Sequence, residues 1–213
     1  MGAAFDAANQ LDDQGRLEEA AALWLEVISG EEALGQGPLA AKDQGKLEEA
    51  GRLYLEVIES ETAIYGANHE ETLMTKGNYA AVLKQQGKLE EAGRLYLEVI
   101  EAKTAVLGAN HAETLREKGD FSNLLDKQGK LEEAGRLYLE VIEGKTAALG
   151  ANHASTLVTK CNLGNLLLNA GDKARARPLL EEAAAALGEE HEDTQAARRL
   201  LACCNFEGNP ASP

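Results

Sequence analysis

The segment GKLEEAGRLYLEVIE stands at 45–59, 87–101 and 129–143 without a single change, and its starts lie 42 residues apart. Weaker copies begin at Gly15 (GRLEEAAALWLEVIS) and Gly171 (GDKARARPLLEEAAA). A fixed period of this size marks an array of small units, none of which buries its apolar face without a neighbour. Each copy also reads as a helix. Leu89, Ala92, Leu95, Tyr96, Val99 and Ile100 follow three-and-four spacing, and Glu90 precedes Arg94 by four on the polar side. Leu97 widens the apolar stripe beyond one face, which suits a helix packed on a partner at one side and on the next unit at the other.

From Gly45 onward the pattern is regular: a helix, a glycine-marked loop, a second helix and another glycine. The spacing predicts long helices over 47–65, 89–107 and 131–149, ended by Gly66, Gly108 and Gly150 in the left-handed conformation of a C-cap. In the loops that follow, Asn68 with Glu71 and Asn110 with Glu113 have the spacing of a capping box, and Asn152 with Ser155 a weaker form of it. Partner helices are predicted over 70–86, 112–128 and 154–170, closed by Gly87, Gly129 and Gly171. Antiparallel helix pairs with short loops, stacked in register, make an all-α solenoid.

The two ends depart from the period. A short helix is expected over 1–14 and a longer one over 17–33, with Trp24 filling the core where later copies carry Tyr54, Tyr96 and Tyr138. Gly15 and Gly45 are only 30 residues apart, so 12 are missing, leaving at most two helical turns over 38–44 and a weakened joint. The last unit is one turn short, opens on Lys173, Arg175 and Arg177, and contains Pro178. A helix over 191–204 with Arg198 and Arg199 fits a terminal cap with a polar outer face, and 205–213 reads as a disordered tail. The chain is thus expected to be a single array of units near 3–33, 38–65, 70–107, 112–149 and 154–187.

Composition narrows the function. Aromatic residues are 4% of the chain, so alanine, leucine and valine must fill the core, which favours close helix packing. No run of about 18 apolar residues predicts a membrane span, and the start lacks the basic and apolar regions of a secretory signal. Asp6 stands where a myristoylation signal after Gly2 needs Ser or Thr. The expectation is a cytoplasmic protein. A net charge of −15 argues against nucleic acid and anionic membranes; it accommodates a basic partner, and equally it keeps an array soluble. Cys161, Cys203 and Cys204 read as reduced thiols.

Catalytic chemistry has no foothold. There is no GxSxG, HExxH or phosphate loop, and no cofactor is expected. The repeated Glu–Glu pairs read as a solvated helix face. His69, His111, His153 and His191 occupy the same loop of successive units. Ligands of one ion must converge, whereas residues one unit apart are displaced by about 10 Å, the spacing of packed helices, so a structural role is expected for them.

Leu163, Gly164 and Leu167, like Tyr79, Ala80 and Leu83, echo the Leu-Gly-x-x-Tyr half of a known repeat signature; Ala92 with Tyr96 and Ala134 with Tyr138 echo its Ala-x-x-x-Phe half. The chain resembles the tetratricopeptide repeat (TPR) family. Its 42-residue period and the loops LGANHAETL (107–115), LGANHASTL (149–157) and LGEEHEDTQ (187–195) are similar to the kinesin light chain type rather than the ordinary 34-residue repeat. The resemblance implies a right-handed superhelix whose first helices line a concave groove, and a non-enzymatic adaptor that binds a protein or peptide there. The heptad coiled coil of kinesin light chains has no counterpart here, so the resemblance is to the cargo-binding array alone.

The second helices repeat GKLEEAGRLYLEVIE unchanged, while the first read KGNYAAVLKQQ, KGDFSNLLDKQ and KCNLGNLLLNA. The side chains expected to face the groove are Asn78, Ala81, Lys84 and Gln85; Arg116, Asp120, Asn123, Asp126 and Lys127; and Asn162, Asn165, Leu168 and Asn169. Asparagine offers both a donor and an acceptor to an extended peptide backbone. Asn78 and Asn162 match an asparagine typical of the kinesin light chain type, and Asp120 departs from it. The lysine clamp of chaperone-tail binders is missing: the matching places hold Gly77 with Ala81, Gly119 with Asn123, and Met74 with Asn78. Drift after duplication accounts for the same variation. The alternatives to an adaptor are therefore a self-associating structural array, or a fragment of a larger TPR protein. As a molecule in solution it is expected to be a monomer or to self-associate weakly.

Overall fold

The computed structural model describes residues 15, 16, 18, 41–187 and 192–205. Among them are eight helices and no strand: α1 (Ala41–Tyr65), α2 (Glu70–Gln85), α3 (Leu89–Leu107), α4 (Ala112–Lys127), α5 (Leu131–Leu149), α6 (Ala154–Asn169), α7 (Lys173–Ala186) and α8 (Glu192–Asn205). The expected helices over 1–14 and 17–33 and the tail at 205–213 fall almost wholly outside the described residues. The chain divides into two compact units, residues 1–106 and 107–213.

Loops recur as faithfully as helices. At the end of α2 the amide of Gly87 donates to Lys84 O and that of Lys88 to Leu83 O; Gly129 with Lys130, and Gly171 with Asp172, repeat the pair. These are Schellman turns, and Gly87, Gly129 and Gly171 take positive φ of 77°, 74° and 81° to make them. Gly66, Gly108 and Gly150 also have positive φ, but Gly150 pairs φ 99° with ψ 156°. That is the extended, glycine-only region, not the left-handed cap expected for it.

The caps at the next helices differ from expectation. His69, His111 and His153 are the N-cap residues, and each Nδ1 accepts from the backbone amide two residues on, of Glu71, Glu113 and Ser155. Asn68, Asn110 and Asn152 sit one residue too early to cap. The joint near Gly45 also differs. A break after a short helix over 38–44 is replaced by one continuous helix, α1, which runs through Gly45.

Each second helix buries one triad against its neighbours: Ala50, Tyr54 and Val57; Ala92, Tyr96 and Val99; Ala134, Tyr138 and Val141; and, in the last unit, Ala176, Leu180 and Ala183. Full burial of a side chain of this size contributes about 1.5–3 kcal/mol. Leucine replaces the ring in α7 and packs directly on Gly164 of α6, where a Cβ would lie 2.7 Å from Leu180 Cγ. Within each helix pair a nearly buried lysine reaches an exposed glutamate 22 residues on, Lys76 to Glu98, Lys118 to Glu140 and Lys160 to Glu182, at 2.5–2.6 Å. Glu98 and Glu140 lie outside the repeated Glu–Glu pairs, and Glu90, Glu91, Glu132 and Glu133 are exposed. Helix α8 packs on α7 and α6, burying Thr194, Ala197 and Cys204 while Arg198 and Arg199 stay exposed.

Candidate peptide-binding wall

In the second unit α4 and α6 touch one another. Arg116, Asp120, Asn123 and Lys127 are spaced by four, three and four along α4, and Asn162, Asn165 and Asn169 by three and four along α6, so each set shares one face. Arg116, Asp120, Asn123, Asn162 and Asn165 are half-buried, as suits a wall, whereas Lys127 and Asn169 at the helix ends are exposed. In the first unit Asn78 and Gln85 hold the same register on α2, with Lys84 on the flank of that line, and all three are half-buried.

The α4 wall is the charged one. Arg116 donates to Glu113 Oε2 at 3.1 Å and to buried Glu117 Oε1 at 2.8 Å. Burial lowers the Arg116 pKa, but Glu117, Glu113 and Asp120 outweigh it and the net shift is upward. Lys145, on α5, donates to Ser155 O and Thr159 Oγ1. Its pKa is lowered by burial, which nearby Asp120 only partly opposes and Arg116 reinforces.

Two groups were not legible as wall components. The Tyr138 hydroxyl, on a ring expected only to fill the core, donates to Asn123 Oδ1 at 2.5 Å. Burial raises its pKa far above the usual tyrosine range, and Asp126 and Asp120 raise it further. Asp126 is itself pushed upward by burial. The one available signal was the choice of Tyr over Phe at 138, since a buried phenol needs a partner. The second group is Lys145, whose register holds Glu61 and Lys103 in the other long helices.

His69, His111 and His153 are occupied as helix caps, and among the described residues no group of three or more His, Cys, Asp or Glu is placed to hold a metal ion. No described helix is long and apolar enough to cross a membrane.

The Tetratricopeptide repeat model matches residues 39–105 and 120–189, well over half of the chain. The chain belongs to the tetratricopeptide repeat family. No curated protein matches it. Among solved structures, this TPR array is similar to a Podosopora anserina protein described as a kinesin light chain with nearly identical TPR-like repeats. That match has 23% identity and a TM-score of 0.65, and covers 75% of this chain and 77% of the other. It is also similar to BtubC (BKLC) from P. vanneervenii, with 16% identity, a TM-score of 0.63, and coverage of 95% and 92%. At these identities the likeness concerns the fold, an all-α TPR-like solenoid of the kinesin light chain kind. The expected repeat class is borne out, and TPR folds commonly mediate protein–protein interaction.

Proposed function

We propose that this TPR array is a non-enzymatic, cytoplasmic interaction module that holds an extended peptide or protein segment against the polar faces of α4 and α6. The observation carrying this reading is the adjacency of those two helices, α4 presenting the half-buried stripe Arg116, Asp120 and Asn123 and α6 the half-buried amides Asn162 and Asn165. Half-buried asparagines pair with both the N–H and C=O of an extended backbone, which provides affinity without demanding one sequence. The second helices support the reading by contrast. Their segment LEEAGRLYLEVIE is unchanged across three copies and only positions after it differ, whereas the first helices vary along the faces named above.

The test is selection of binders from a phage-displayed random peptide library against the full chain. The selected peptides are then titrated against an N162A/N165A variant checked for helicity by circular dichroism. Loss of binding with helicity intact supports the wall; unchanged affinity removes it.

A further inference from the structure

Charge differences between units concentrate on α4. Stepping by three residues, α2 carries Asn78, Ala81 and Lys84, α6 carries Asn162, Asn165 and Leu168, and α4 carries Asp120, Asn123 and Asp126. Residues three apart on a helix are surface neighbours, so the two aspartates flank Asn123 on an oblique row, and all three are half-buried. The cations that act on Asp120 hydrogen-bond elsewhere, Arg116 to Glu113 and Glu117, and Lys145 to Ser155 O and Thr159 Oγ1. Lys127 is exposed at the helix end. Among the described residues neither Asp120 nor Asp126 accepts a hydrogen bond or closes an ion pair; Asp120 interacts at longer range with Arg116, Lys145 and Tyr138, and Asp126 with Tyr138. Tyr138 takes the Asn123 oxygen, which leaves the Asn123 amide hydrogens as donors.

We infer that the Asp120–Asn123–Asp126 row selects, within a bound peptide, a segment bearing a lysine or arginine side chain, which lies between the two carboxylates while Asn123 donates to an adjacent peptide carbonyl. This rests on the peptide-binding reading above and specifies its ligand. Half-buried carboxylates that close no ion pair carry a cost that an incoming cation relieves. Complementarity of charge sets which partner binds more than how tightly. The effect of Asp126 and Asp120 on the Tyr138 hydroxyl, with no cation offsetting it, reports the same negative field. At the matching register of α6, Asn162 and Leu168 are uncharged, so in this unit the preference belongs to the α4 row.

The experiment compares library selections against the full chain and against a D120N/D126N variant. The Asp120 change installs the residue already present at Asn78 and Asn162, so the fold is preserved, and circular dichroism verifies it. The expected result is enrichment of Lys or Arg among peptides selected by the unaltered chain. Their affinity, read by fluorescence polarisation, falls about tenfold in the variant, as removal of close charge pairs at an interface does, and weakens with salt chiefly in the unaltered chain. Peptides that bind without basic enrichment, or whose affinity the variant leaves unchanged, overturn the inference while the peptide-binding reading stands. A library that yields no binder at all overturns both.

Discussion

The pair Gly45 and Gly129 offers a stringent test of the structure, because the sixteen residues QGKLEEAGRLYLEVIE are identical at 44–59 and 128–143. In the second copy Gly129 has φ 74° and closes the Schellman turn after α4; in the first copy Gly45 lies inside α1 with no positive φ. A Cβ added at either position meets nothing within 4 Å, so alanine there reports backbone conformation alone. Alanine at Gly129 must adopt a left-handed conformation, at a cost of about 1–2 kcal/mol. Alanine at Gly45 replaces a helix-interior glycine and stabilises by about 0.5–1 kcal/mol. The two variants are thus separated by about 2 kcal/mol with opposite signs, although the substitution and its surrounding sequence are the same. For a chain of this size that is about 4–8 °C between their melting midpoints. Thermal and urea melts followed by circular dichroism at 222 nm measure it. Destabilisation of both variants by similar amounts would refute the reasoning, since a turn at Gly45 is the one arrangement that produces it.

Other outcomes follow from particular contacts. His111→Ala should lower stability by about 0.5–1 kcal/mol through loss of an N-cap, while Asn110→Ala should leave it unchanged; the reverse order in urea melts would restore the asparagine caps. Glu140→Ala should destabilise more than Lys118→Met, because it leaves a nearly buried ammonium unpaired whereas methionine simply fills the space. Gly164→Ala should cost about 1–3 kcal/mol by overpacking against Leu180, visible as a lowered urea midpoint. Tyr138 has a raised pKa, so folding favours its neutral form; that contribution is complete below the unfolded tyrosine pKa of about 10 and is lost as pH rises beyond it. Absorbance at 295 nm should accordingly show a late-titrating phenol that Tyr138→Phe removes, and stability should decline above pH about 10 less steeply in that variant.

Much of this architecture was legible because the interactions that set it are local. Three-and-four spacing of Ala92, Tyr96 and Val99 identified the buried triad, and the glycines bounded α3 and α5 to the residue. That Arg116, Asp120, Asn123 and Lys127 share one face of α4, and Asn162, Asn165 and Asn169 one face of α6, was legible in the same way, from spacing. What their side chains do was not. Tyr138 and Asn123 lie 15 residues apart on different helices, and their hydrogen bond exists only once α4 and α5 pack. The neighbourhood of Asp120 and Asp126 depends on where Arg116 and Lys145 are engaged, again a property of packing.

The caps mark the boundary between the two kinds of information. Spacing placed a capping residue at the start of α4 but chose Asn110 over His111, since either side chain offers an acceptor and only the path of the loop decides which one reaches the amide of Glu113. Gly45 is the clearest instance. The sequence alone determined a 42-residue period, helical units and the residues they bury, since periodicity and capping act within a few residues. It did not determine whether QGKLEEA turns or continues. At Gly129 the turn forms because α4 precedes it and its Leu125 carbonyl receives the Lys130 amide. Gly45 lies inside a helix that continues on both sides of it, so there is no helix end to cap, and the same residues propagate α1 instead.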